Sequence, residues 1–157
     1  QEEVYKARQD KVMLGTAPPG ISRHHWGTEV DLFAVNRYKF RDQGALGPVY
    51  RWLKTNAHHF GFFQPYTKGN ESGYIEERWH WSYGPASIPI LTVLRTENAL
   101  FESYLQRIWQ EAEQTCAPKA PQPLPCFSRV QEVWRTRVYK IDESHPWVQK
   151  SIQYSRE

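Results

Sequence analysis

The sequence predicts an α+β domain, and three observations carry that expectation. Helix-like and strand-like periodicities follow one another in the order α, β, α, β, β, α, and a tail comes after them. The 157 residues suffice for one domain with a real core, and 39% apolar with 24% charged residues is ordinary soluble composition rather than that of a disordered chain. Aromatics are in excess, with 7 Trp, 9 Tyr and 7 Phe against one Met. Together with 11 Pro and 9 Gly they suggest a loop-rich fold with aromatic walls around a pocket. A coiled coil, a collagen-like chain and a low-complexity tail are excluded.

Each element has a local reason. Residues 3–13 suit a short helix with Val4, Ala7 and Val12 as weak apolar positions, broken by Ala17-Pro-Pro-Gly20. Thr28 to Val35 reads as a strand, with Val30, Leu32 and Ala34 alternating against Glu29, Asp31 and Phe33. Gly47-Pro48 opens a helix, since proline suits the first helical position. Val49, Trp52, Leu53, Asn56 and Phe60 keep helical spacing, and Gly61 is a natural stop. Phe62 to Tyr66 is strand-like, residues 68–73 suit a turn or flexible loop, and Tyr74 to Tyr83 reads as extended. After Thr96, a suitable N-cap, the residues Phe101, Tyr104, Leu105, Ile108, Trp109 and Ala112 form a helical apolar stripe expected to face the core. A proline loop occupies residues 116–126, residues 128–141 fit helix or strand, and Ser144 can cap a last helix from Pro146.

The net charge of +3 is too small to imply nucleic-acid binding. The longest apolar stretch, Ile88–Leu94, has the length of a strand, far from the ~20 residues of a membrane span. The chain starts at Gln1 with no signal-peptide pattern, so a processed product is expected, with a signal or N-terminal segment removed. Cys116 and Cys126 flank the proline loop, and a disulfide between them would place the protein in an oxidising compartment, periplasmic or secreted.

The chemistry concentrates in two clusters. HExxH, paired CxxC, P-loop, GxGxxG and GxSxG patterns are all absent. The first cluster is Ser22-Arg-His24-His-Trp-Gly27-Thr-Glu-Val-Asp31. If the chain turns at Gly27, the His24 imidazole and the Asp31 carboxylate can converge on one cation, and nitrogen plus carboxylate ligation suits zinc. The second is Glu77-Arg-Trp-His80-Trp-Ser-Tyr83. In a strand His80 and Ser82 face one way and Trp79, Trp81 and Tyr83 the other. Glu77 shares the side of His80 only if the chain bends between them. Three ligands, His24, Asp31 and His80, leave a fourth position open for water, the arrangement of catalytic zinc. Glu77 is then the candidate general base.

These clusters together resemble the zinc D-alanyl-D-alanine carboxypeptidases and related peptidoglycan peptidases of the VanY, VanX and LAS group, whose fold the hedgehog signalling domain shares. The resemblance rests on Ser22-x-His24-x-x-Gly27-x-x-x-Asp31 followed by Glu77-x-Trp79-His80. Ala17-Pro-Pro-Gly20 and Tyr50-x-Trp-Leu53…Phe60-Gly61-Phe62 extend it over residues 17–84. It implies a small antiparallel sheet with flanking helices, forming a single zinc peptidase domain over residues 1–157 with an extension from about residue 95. It also implies Zn2+ on His24, Asp31 and His80, Glu77 as base, and peptidoglycan stem peptides as substrate. Ser22 would stand close to the metal or substrate.

Three positions depart from the group's pattern: Glu29 replaces a usual Ala, Arg78 a usual Pro, and Arg8 is the one arginine upstream of Arg23. Glu29 can pair with Arg23 or Arg37, or narrow the site. Arg8 is the candidate for the substrate's terminal carboxylate; without such a group an endopeptidase fits as well as a carboxypeptidase. His25, Arg23 and Arg78 are candidate oxyanion donors. Trp26, Trp79, Trp81, Phe62, Tyr66 and Tyr83 are candidates for the rim, and His58 and His59 for a helix end. The competing class is a zinc-containing module of this fold that binds wall fragments or a protein partner without cleavage. Such a module needs no base beside a ligand, so Glu77 favours the enzyme.

Overall fold

The computed structural model describes residues 20–69 and 75–115, and with them residues 4, 7, 8, 11, 12, 15–17, 130, 131, 133–135, 148, 149 and 153. A 3-10 turn at Arg23–Trp26 leads into strand β1, Glu29–Asp31. Helix α1, Gly47–Asn56, continues into a second 3-10 turn, Ala57–Phe60, then strand β2, Phe62–Phe63. Strand β3, His80–Tyr83, runs directly into helix α2, Gly84–Thr96, and helix α3, Asn98–Thr115, follows. The sheet is antiparallel in the order β1-β3-β2, so the chain is α+β with helices beside a small sheet. Among the described residues no helix is long and apolar enough to cross a membrane.

The central strand carries the register that matters. Asp31 pairs with His80, Val30 with Trp81, and Glu29 with Ser82. Strand alternation therefore gathers Glu29, Asp31, His80 and Ser82 on one face and sends Trp81 into the core on the other. One core cluster joins Phe40, Tyr50, Leu53, Ala57, Trp79 and Trp81. The larger one joins Ile21, Phe63, Leu91, Leu105 and Trp109 to Val130, Val133, Trp134 and Val148.

Several expectations are corrected. The strand expected over 28–35 stops at Asp31, because Phe33 takes a left-handed φ of 62° and the next amides turn back, Ala34 N–H to Leu32 and Asn36 N–H to Ala34. Of Phe62 to Tyr66 only Phe62–Phe63 is strand, and of the described residues 75–83 only His80–Tyr83. Ile88–Leu94 lies inside α2, which Gly84-Pro85 opens and which accommodates Pro89. On α3, Leu105 and Trp109 are buried and Phe101 is half-buried, but Tyr104 and Ile108 face solvent, so the apolar stripe is narrower than its spacing suggests.

The first helix and the tail are described in part. Residues 4, 7, 8, 11 and 12 are helical and exposed, so Val4, Ala7 and Val12 make no core. Residues 130, 131 and 133–135 are helical, which decides that stretch of the ambiguous 128–141 segment. Residues 148, 149 and 153 are helical as well. Ser144, the Cys116–Cys126 pair and the proline loop lie outside the described residues.

Candidate metal centre

The site is assembled from two short pieces of chain. In the first, the Ser22 hydroxyl caps the turn Arg23–Trp26 by accepting from the His24 N–H at 3.3 Å. Gly27 ends it at φ 72°, a left-handed conformation that glycine adopts without a Cβ penalty. That reversal brings His24 back over Asp31 on β1. In the second piece the bend needed by Glu77 is present. Residues 78 and 79 form a turn, and the His80 N–H donates to the Glu77 carbonyl at 3.3 Å. Gln64 holds this turn from behind: its amide donates to the carbonyls of Tyr66 at 3.0 Å and Glu77 at 3.1 Å, and its Oε1 accepts from the Tyr50 hydroxyl at 2.9 Å.

Three ligand atoms converge. Asp31 Oδ1 lies 3.5 Å from His24 Nε2 and 3.2 Å from His80 Nδ1, and a ligand atom from each of the three residues falls within 4.8 Å of the others. Donors bound at the usual zinc distances around a tetrahedral ion stand about 3.3 Å apart, and the two pairs that include Asp31 already match this spacing, so the donor set suits a zinc ion. The His24 and His80 rings meet edge to face at 4.7 Å, and the Tyr66 ring packs on His80 at 4.9 Å. Glu77 completes the group with Oε2 3.6 Å from His80 Nδ1. All four line one cleft of about 280 Å³, with Ser22, Tyr66 and Trp79 in its wall.

Electrostatics separates the carboxylates. Burial raises the Glu77 carboxyl, the Asp31 charge adds to this, and the opposing pull of His80 leaves it at about 7. Burial works against the charge of Glu29 too, but the Arg23 guanidinium and the hydrogen bonds from His80 and Ser82 overcome it and hold Glu29 at about 2. For His80 burial disfavours the cation, yet hydrogen bonds to Asp31 and Glu29 and the charges of Glu29 and Glu77 lift it to about 9. Asp31 is lowered despite partial burial, through His80 and then His24. The acidic groups thus surround one imidazole and stabilise its protonated form.

The family model for VanY, D-alanyl-D-alanine carboxypeptidase, matches residues 1–86, more than half of the chain. The chain belongs to the VanY family. His24, Asp31, Glu77 and His80 all lie inside the VanY span. The chain is also 32% identical over 76 residues to an uncharacterised protein of Haemophilus influenzae, a match covering 41% of this chain and 58% of that protein. No solved structure matches the chain.

The substrate-side residues expected from the VanY resemblance take varied places. Ser22, Arg23 and Trp79 line the cleft, although Trp79 is mostly core and Arg23 is turned toward Glu29 at 3.1 Å. Trp26 lies under the Arg23 guanidinium at 4.6 Å and against the larger core. His25 is exposed and outside the cleft wall. Arg78 does not line the cleft and is bound to Asp42 at 2.8 Å and Glu76 at 3.0 Å above the Tyr50 ring. Arg8 is exposed and does not line the cleft. His58 and His59 meet at 3.9 Å with tilted rings in the second 3-10 turn and are not part of the His24, Asp31, His80 group. Sequence reasoning missed the wall residues Gly15, Thr16 and Val35. Their one sequence signal was proximity to the motif.

Proposed function

We propose that this chain is a zinc-dependent peptidase that cleaves a peptide bond in peptidoglycan stem peptides, as a D,D-carboxypeptidase or an endopeptidase. The observation that carries the reading is a carboxyl of raised pKa, Glu77, placed 3.6 Å from a nitrogen of the His24, Asp31, His80 donor set. Membership of the VanY family supports the substrate class. Zinc, when bound, supplies Lewis-acid polarisation of the scissile carbonyl and acidifies the attacking water. The chain's residues do the rest. Glu77 takes a proton from the attacking water on its carboxylate and returns it to the leaving amine as the C–N bond breaks and the new C–O bond forms. The products are a carboxylate and an amine. Asp31 and the two imidazoles hold the donor set, and Gln64 keeps the Glu77 turn in place. Such a substrate implies work outside the cytoplasm, in the cell envelope.

Arg23 is the one arginine in the cleft wall among the described residues, and Glu29 and Ser82 engage it. The choice between the two peptidase modes is therefore left to products. Zinc-loaded protein incubated with purified muropeptides is expected to release fragments readable by mass. Loss of one terminal alanine identifies a carboxypeptidase, and splitting of a crosslinked dimer identifies an endopeptidase. If no wall peptide changes mass, the peptidase reading is wrong and a binding module takes its place.

A further inference from the structure

Glu29 is a charged group at the centre that the proposed reaction does not consume. Its side chain is fully buried, and its two oxygens have different duties. Oε1 accepts from Arg23 Nη2 at 3.1 Å, Ser82 Oγ at 2.7 Å and Thr28 Oγ1 at 3.1 Å. Oε2 lies 2.8 Å from His80 Nε2. The set closes on itself: Arg23 Nη2 also donates to Ser82 Oγ at 3.0 Å, and the Ser82 and Ser87 hydroxyls stand 2.8 Å apart. Burying a carboxylate with a guanidinium is a poor route to stability, because desolvation consumes most of the attraction. The arrangement makes better sense as a means of orientation. An ionised carboxylate only accepts hydrogen bonds, so the hydrogen of that contact belongs to His80 Nε2. The ring's other nitrogen, Nδ1, faces the side where Asp31 Oδ1 and Glu77 Oε2 lie, at 3.2 and 3.6 Å, and its lone pair is free to ligate there once its proton leaves.

We infer that Glu29 is the positioning residue of the metal centre, holding His80 in the Nε2–H tautomer so that Nδ1 ligates, with Arg23 as the counter-charge that keeps Glu29 in place. This rests on the reading of His80 as a ligand. Carboxylates behind ligand imidazoles act in this way generally, and their loss costs about 10–100-fold in metal affinity or activity.

The test is Glu29→Gln in the full chain. Three donors converge on Oε1, so the amide oxygen stays there and the amide nitrogen faces His80 Nε2. That nitrogen donates, which moves the imidazole proton to Nδ1 and blocks ligation. Zinc affinity, read by competition with a chelator, is expected to fall about 10–100-fold. On a stem peptide kcat should drop with little change in KM. His80→Ala serves as the reference and should abolish stoichiometric zinc. Wild-type zinc affinity in a folded Glu29→Gln protein overturns the role of Glu29 and leaves the metal site standing. Undiminished zinc binding in His80→Ala overturns the site itself. If Glu29→Gln does not fold, the 1H–15N spectrum of zinc-loaded wild type decides. A slowly exchanging proton on His80 Nε2 is expected, and a proton on Nδ1 instead overturns the inference.

Discussion

Of the three carboxylates that flank His80, Glu29 and Glu77 are held in opposite states by their surroundings. Both are buried, but Glu29 faces Arg23 and stays ionised down to about pH 2, while Glu77 faces Asp31 and rises to about 7. Environment thus assigns one to fixed charge and the other to proton transfer. Glu77→Gln is expected to keep one zinc per chain by elemental analysis while kcat drops about 10²–10⁴-fold. Arg23→Met leaves the Glu29 charge buried without its cation, and chemical denaturation should register a loss of about 3–5 kcal/mol. Phe33 sits at φ 62° with 74% of its surface exposed, so Phe33→Gly gives up little burial and relieves left-handed strain. That substitution should stabilise by up to about 1 kcal/mol, and a lower Tm would contradict the strain argument. At this scale the ligands were legible, because their chemistry and spacing are written in the chain. The role of Glu29 was not legible: a strand reading assigns it a face but gives neither its burial nor its partner across the sheet.

Among the elements, the helix starts were readable where Gly-Pro opens them, at Gly47-Pro48, but the same dipeptide at Gly84-Pro85 was hidden behind an apolar run that fits a strand equally well. Strand lengths were overestimated because pairing ends where partners run out. β2 has two residues and β1 three, and no alternation pattern reports that limit. The bend between Glu77 and His80 was legible only as a condition, since the Gln64 amide that holds it comes from thirteen positions earlier. Gly61 joins the second 3-10 turn to β2 at φ 80°, and an added Cβ would stand 3.0 Å from the Tyr83 ring and 3.1 Å from Pro85. Gly61→Ala therefore strains the backbone and displaces the residues that open α2. A loss of at least about 1–2 kcal/mol is expected in thermal or denaturant unfolding.

Across the molecule, Val130, Val133, Trp134 and Val148 pack with Phe63 and Leu91, so the segment that matched no motif supplies part of the core under the sheet. Composition counted those aromatics without saying which wall they would join. The charged cluster also sets how the metal-free protein responds to pH. Glu29 is lowered from 4.5 to about 2, so its contribution is complete above pH 4.5 and is lost as pH falls toward 2. His80 is raised from 6.5 to about 9, so its contribution is complete below 6.5 and is lost as pH rises toward 9. Glu77, raised from 4.5 to about 7, loses its share in the same upward direction. The Tm of the metal-free protein is expected to peak near pH 4.5 and to decline from there toward pH 9, and the increment produced by zinc should grow toward pH 9, where fewer protons compete for the ligands. A scanning calorimetry series with and without zinc checks both. The Asp31–His80 register carries one more consequence. The two residues sit on neighbouring strands but roughly fifty positions apart in sequence, and α1 lies in the span between them. An ion shared by both is a removable rivet across that span, so chelation should quicken amide exchange first along residues 32–69 and 75–79, long before the distant helices loosen.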